Sequence, residues 1–153
     1  MSGEQQITVR NLQQSDETDW RPLWRGYLEF YKHKIADDVT GSTWRRLLSD
    51  DPTFVGLAAE HEGRVIGIAH YILHPSTWSR SHYCYLEDLF VDPSARGKGA
   101  GRLLIEEIYR RADDAGWDRV YWITQEFNYK GRILYDKLAR KTDCITYERK
   151  EDA

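Results

Sequence analysis

The chain alternates short β-type runs with segments whose apolar residues recur every three or four positions. "ITVRNL" (7–12) reads as a first strand. In "DWRPLWRGYLEFYK" the residues Trp20, Leu23, Trp24, Tyr27, Leu28 and Tyr31 share one helical face, with Ser15 or Asp16 as cap. A second short helix is predicted over "GSTWRRLLSD", capped by Ser42 or Thr43 and ended by Asp51-Pro52. "FVGLAAEHEGRVIGIAHYIL" (54–73) is a hairpin turning at Gly63, and "SHYCYLEDLFVD" (81–92) is a further strand. A helix from about 99 to 115 follows, with Leu104, Ile108, Ala112 and Ala115 as its core stripe and Gly116 as its stop. "RVYWITQE" (119–126) predicts a strand, "NYKGRILYDKLARK" (128–141) a short helix and "CITYERK" (144–150) a closing strand. That order mixes antiparallel with crossover connections, which predicts an α/β or α+β fold built on one mixed sheet.

Composition narrows the class. With 153 residues, 41% hydrophobic and 31% charged, the chain reads as a single globular domain over 1–153. No apolar run approaches the roughly 20 residues a membrane helix needs, and the polar opening "MSGEQQ" lacks the plan of a signal peptide. The expectation is a cytoplasmic protein with no membrane partner. Cys84 and Cys144 fit no metal-ligand spacing and read as reduced, buried thiols, and His70 and His74 lie in a strand where a four-residue spacing builds no metal face. No metal is expected. A net charge of −3 argues against a nucleic-acid surface. Acidic residues gather in the first 62 positions, and basic ones between 129 and 141. An anionic ligand on one side and a cationic one on the other would explain that split, as would plain solvated surface.

The densest signal is "LFVDPSARGKGAGRLLIEE" (89–107), a strand, a turn holding Gly97, Gly99 and Gly101 among Arg96, Lys98 and Arg102, then a helix. Glycines permit positive φ and close backbone approach. A helix beginning inside such a turn presents free N–H groups and partial positive charge, so the turn suits a phosphate. A Walker A loop is excluded, because Gly101 is followed by Arg102-Leu103 rather than lysine and a hydroxyl. A dinucleotide fingerprint is excluded by its G-x-G-x-x-G spacing and its place on an early strand. The pattern R-x-x-G-x-G is met by Arg96, Gly99 and Gly101.

That stretch resembles the acetyl-CoA-binding motif of GNAT-type N-acetyltransferases, [QR]-x-x-G-x-[GA]. Together with "YLEDLFVDPSARGKGAG" and "VYWITQEFNYKGRILYDKLA", it is similar to the spermidine/spermine acetyltransferases and to small fungal and bacterial enzymes acting on histones, polyamines or D-amino acids. The resemblance covers about residues 7–149 and is strongest from 83 to 138. It implies a mixed, twisted sheet splayed between strands 4 and 5 and flanked by about four helices. The cofactor would be acetyl-CoA, with its acetyl end on the backbone of Leu89, Phe90 and Val91 and its pyrophosphate on Arg96, Gly97, Lys98, Gly99, Ala100, Gly101 and Arg102. Asn128 matches a position that contacts the pantetheine or phosphate part, and Tyr135 the tyrosine near the thioester sulfur. A homodimer is implied as well.

N-acetylation needs a neutral amine, yet a primary amine has a pKa of about 10.4, so a base must take its proton. The charge developing on the carbonyl oxygen needs a fixed N–H donor, and the thiolate needs a proton as it leaves. By the resemblance Glu87 is the base, Asp88 helps bind a cationic acceptor and Tyr135 is the proton donor. Adjacent strand residues face opposite sides, so Glu87 and Asp88 share the cleft only if a bulge intervenes. Tyr27 and Glu29, on the first helix, are candidates to line the substrate cleft beside the aromatic stripe. Cys84 lies close to Glu87, but nothing beside it in sequence activates it. The acceptor is a polyamine or diamine, a free amino acid, or a protein lysine. The rival class is a non-catalytic acetyl-CoA sensor or interaction module. One departure stands out: Ala139 follows Leu138 where the family has glycine, so either the helix runs on or its end takes another turn.

Overall fold

The computed structural model describes residues 6–151, so the polar opening stretch falls almost wholly outside the described residues. The chain divides into two compact units, one running to Ile123 and one from Thr124. The first unit holds a sheet of β1 (Thr8–Asn11), β2 (Phe54–His61), β3 (Arg64–His74), β4 (Tyr83–Val91) and β5 (Arg119–Tyr121), in that spatial order. The first four strands pair antiparallel, and β5 joins β4 in parallel. The helices of this unit are α1 (Glu17–Phe30), α2 (Asp37–Leu47) and α3 (Ala100–Ala115), and α4 (Tyr129–Leu138) belongs to the second.

Several elements follow directly from local chemistry. The β2–β3 hairpin turns on Glu62 and Gly63, both at positive φ, the geometry that matches strand twist in a two-residue loop. Helix α3 ends at Gly116, whose φ of 73° is left-handed. Its core residues are Ala100, Leu104, Ile105, Ile108 and Ala112, while Ala115 is exposed. Helix α2 begins at Asp37, not at Ser42 or Thr43. Asp37 and Asp38 favour the helix start by facing the positive end of its dipole, and the extra turn carries the helix up to the buried Trp44 and Leu47. Asp16 stands just before α1, but its carboxylate is spent on Arg10 and on the Gln13 N–H instead of capping the helix.

The two helical layers lie on opposite faces of the sheet. A side chain added at Gly26 of α1 would meet the Phe90 ring at 2.9 Å, while one at Gly67 would meet both Val91 and Leu104 of α3 at 3.4 Å. Phe90 and Val91 are adjacent in β4 and so face opposite ways. One core therefore holds Trp20, Leu23, Trp24, Trp44, Leu47 and Ile68 beneath α1 and α2. The other is sealed by Leu104, Ile105 and Ile108 of α3, which are fully buried. Each large apolar side chain so enclosed contributes about 1.5–3 kcal/mol.

The end of the chain departs from the pattern. Strand β5 stops at Tyr121 and α4 at Leu138, and residues 139–151 form no strand. Ile145 and Tyr147 are 77% and 88% exposed, so the alternation in "CITYERK" buries neither face. A strand needs a ladder partner as well as alternation. Ala139 is extended, with φ −148°, so the helix stops without a left-handed residue and alanine is unstrained there.

Candidate active site

The site grows from an irregularity in β4. His70 pairs with Asp88 and Tyr71 with Leu86, which leaves Glu87 without a partner across the ladder. This is a β-bulge, and it lifts the alternation that would send Glu87 and Asp88 to opposite faces. The Tyr27 hydroxyl donates to the Glu87 backbone carbonyl at 3.3 Å. Burial, then the charge of Asp88 and its hydrogen bond, push the Tyr27 phenol far above the usual tyrosine range, and Glu87 adds to the effect. Glu87 is exposed, yet protein crowds its carboxyl: desolvation first, then the Asp88 charge, raise its pKa above the usual carboxylate range. A raised carboxylate pKa moves the group toward the range where a general base works best near neutrality.

Behind the carboxylates lies a buried polar chain. Trp20 Nε1–H donates to His70 Nε2 at 3.0 Å, and His70 Nδ1 is 2.8 Å from Asp88 Oδ2. Trp20 is fully buried and His70 is 2% exposed. Trp24 stacks on Trp20 at 5.6 Å between ring centres, and Tyr27 on Trp24 at 5.5 Å. The aromatic stripe of α1 is thus core at Trp20 and Trp24, while the half-buried Tyr27 reaches the carboxylates. Local spacing could not reveal His70, whose partners are fifty and eighteen positions away. A signal did exist: one histidine inside the apolar run "VIGIAHYIL" must be buried, and a buried imidazole needs partners.

From the bulge, β4 runs on without β5. The parallel pairing covers only Tyr83–Tyr85 against Arg119–Tyr121. Leu86 to Val91 therefore leave a backbone edge on that side, the splay the sequence resemblance implies. Asp92 accepts the Ser94 N–H and shapes the turn that follows. Gly97 and Gly99 sit at φ +88° and +87°, and a Cβ at either would meet nothing within 4 Å. The glycines here serve backbone conformation while the space beside them stays open. Gly99 opens α3 with no side-chain cap, so the first N–H groups of that helix point into the open turn. Lys98 and Arg102 are exposed at its rim. Arg96 folds back instead: its Nε donates to the Val91 carbonyl at 3.3 Å and its guanidinium lies 5.5 Å from the Phe90 ring centre.

Tyr27, Glu87, Asp88, Leu89, Phe90, Val91 and the 96–102 turn all belong to the first unit. Glu29 lines a groove of about 670 Å³ with Gly26, Phe30, Phe90 and Arg96, to which neither Glu87 nor Asp88 contributes. Asn128 and Tyr135 belong to the second unit. There Asn128 caps α4, accepting the Gly131 N–H at 3.2 Å and donating to Thr124 Oγ1 at 2.9 Å. Tyr135 is half-buried two turns further along that helix. Among the described residues no group of three His, Cys, Asp or Glu could hold a metal ion, and no helix is long and apolar enough to cross a membrane. Both cysteines are free thiols, but only Cys84 is buried: Cys144 is exposed, because the segment expected to close the sheet forms no strand. Burial pushes the Cys84 thiol up to about 12, which leaves it a poor nucleophile.

Residues 10–139 match the family described as Acetyltransferase (GNAT) family. The D-amino-acid N-acetyltransferase HPA3 of Saccharomyces cerevisiae is 40% identical over 147 residues, spanning 94% of this chain and 90% of the relative. Among solved structures, the aminoglycoside N-acetyltransferase AAC(6')-Iy in complex with CoA superposes with a TM-score of 0.82 at 20% identity, covering 99% of each chain. The ribosomal-protein-alanine N-acetyltransferase from Brucella melitensis gives 0.80 at 21% identity, over 95% of this chain and 99% of the other. At those identities the two structures speak for the fold alone.

Proposed function

The chain belongs to the GNAT acetyltransferase family, and from that premise we propose that it moves an acetyl group from acetyl-CoA to a primary amine by direct attack in a ternary complex. The observation that carries this reading is the bulge at Glu87. It sets two carboxylates at the point where β4 parts from β5, on the strand that leads to the glycine turn. Two left-handed glycines with open space beside them and an uncapped helix start fit a diphosphate. Gly97 to Gly101 would hold it by backbone N–H groups, and Lys98 and Arg102 would add charge. The edge that β4 leaves beyond β5 at Leu89, Phe90 and Val91 suits the amides of an extended arm, which would displace Arg96 from the Val91 carbonyl, and Asn128 is assigned to the same ligand by the motif it completes. When bound, the cofactor supplies the activated acetyl group.

Each residue then has a defined task. Asp88 and the Tyr27 hydroxyl receive the acceptor's ammonium beside Glu87. Glu87 takes one proton from that ammonium, directly or through water, and so frees the lone pair that forms the C–N bond; the second N–H proton leaves to solvent as the C–S bond breaks. Tyr135 gives a proton to the departing thiolate, an assignment resting on its place seven residues beyond Asn128 in the motif. The yeast relative is named for D-amino acids, which puts an amino-acid amine first among acceptors to try, ahead of polyamines and protein lysines. Coenzyme A release measured with acetyl-CoA over a panel of these amines is the test. Release with at least one class is expected. Tight acetyl-CoA binding with no release for any amine would favour a sensor instead.

A further inference from the structure

His70 stands behind the reacting carboxylates with both ring nitrogens committed. The indole N–H of Trp20 can only donate, so His70 Nε2 must accept. A proton there would set two donors against each other in a fully buried contact. The single ring proton therefore sits on Nδ1 and is donated to Asp88 Oδ2, 2.8 Å away. The charged and titratable groups facing this arrangement are Asp88 and Glu87 from β4 and Tyr27 from α1, and Trp20 and Trp24 close it off from solvent. His70 is sealed too deeply to touch an acceptor itself. It has the geometry of a fixed strut that acts through Asp88.

We infer that His70 is a positioning residue: held in one tautomer by Trp20, it pins one oxygen of Asp88 and turns the other toward the acceptor, so that the amine lands beside Glu87. The inference rests on the acetyltransferase reading above and adds to it the group that aligns the acceptor. Asp88 is the ladder partner of His70 and follows the unpaired Glu87 directly, so the strut holds the carboxylate at the point where the register resumes after the bulge.

Two substitutions separate this role from packing. In Asn the amide nitrogen hangs from Cγ, as Nδ1 does in histidine, so His70→Asn can still donate to Asp88. In Gln the polar group is one carbon further out, on the Trp20 side, although Gln is closer to histidine in volume. His70→Asn is expected to keep kcat/KM for the amine within about threefold of wild type. His70→Gln should lose about 10- to 100-fold, the scale of a misplaced reactant, with KM for acetyl-CoA unchanged in both. Gln tolerated better than Asn would make His70 a packing residue and overturn the inference. A second readout needs no variant: imidazole ¹⁵N shifts of the wild-type protein should show Nδ1 protonated and Nε2 bare, and the opposite tautomer would overturn it equally. If wild type acetylates no amine at all, the functional reading fails and this inference fails with it. An active wild type with the wrong variant order sinks the inference alone.

Discussion

The glycine turn makes a prediction that can be worked through in free energy. Gly99 lies at φ +87°, and a Cβ there would meet nothing within 4 Å. Gly99→Ala therefore adds no overlap, and its cost is backbone strain of about 1–2 kcal/mol for a left-handed L-residue. The stiffer unfolded chain returns about 0.4–1 kcal/mol of that in stability. Two outcomes share the strain. If the turn holds, the folded protein carries it, and Tm drops by about 2–4 °C for each kcal/mol of net loss. If the turn relaxes, stability is spared, and binding must restore the left-handed state, which weakens affinity for coenzyme A by about 5- to 30-fold. Gly116 is the control. It has φ +73° and equally open surroundings, but stands at the far end of α3. Gly116→Ala should lose stability and leave affinity alone. Urea unfolding and calorimetric titration with coenzyme A measure both arms. A Gly99→Ala protein with wild-type stability and wild-type affinity would refute the claim that this turn needs a left-handed residue.

Other changes test other parts of the molecule. Tyr135→Phe should lower kcat by about 10²-fold or more, the scale of a lost general acid, with little change in acetyl-CoA affinity; equal losses in both would end the proton-donor assignment. Burial alone would raise the Asp16 pKa, but the hydrogen bonds from Arg10 and from the Gln13 N–H hold it below the usual carboxylate range. Its contribution is therefore present above the unfolded pKa of about 3.9 and is lost as pH falls through the lower folded value. Asp16→Asn should cost about 1.5–3 kcal/mol near pH 7 and flatten the acid side of the stability curve, as urea midpoints across pH would show. Iodoacetamide should modify the exposed Cys144 and spare Cys84 in the native protein, since burial lifts the Cys84 thiol to about 12; rapid labelling of Cys84 by mass spectrometry would contradict its burial.

What the sequence made legible was local. The Glu62-Gly63 hairpin, the Gly116 stop and the uncapped start of α3 each declare themselves within a few residues, because φ > 0 or a missing cap is a property of the turn itself. Ser42 and Thr43 misled because a hydroxyl inside a helix looks the same in sequence as one at its start, and only the burial of Trp44 and Leu47 shows where the helix must already be running. "CITYERK" misled for a related reason: alternation states that a segment could be a strand and says nothing about a partner. The corner that holds the carboxylates was half visible. The carboxylates and the glycine turn are adjacent in sequence, but the bulge at Glu87 is a property of two strands in register. The Trp20–His70–Asp88 chain joins three elements, so it exists only once α1, β3 and β4 are packed.

The central claim, that the bulge presents Glu87 as the base for an acceptor amine, is tested most directly by kcat/KM against pH for wild type and Glu87→Gln side by side. Burial and the Asp88 charge raise the Glu87 pKa above the ordinary carboxylate range, so wild-type activity should fall off on the acid side at a pH higher than a free glutamate would give. Glu87→Gln should lose that limb and keep only the slope set by the acceptor's own deprotonation. The gap between the two should be about 10²–10⁴-fold, widest at the acid end and narrowing as pH rises toward the pKa of the amine. An acid limb unchanged by Glu87→Gln, with kcat/KM within a few fold of wild type, would contradict the account.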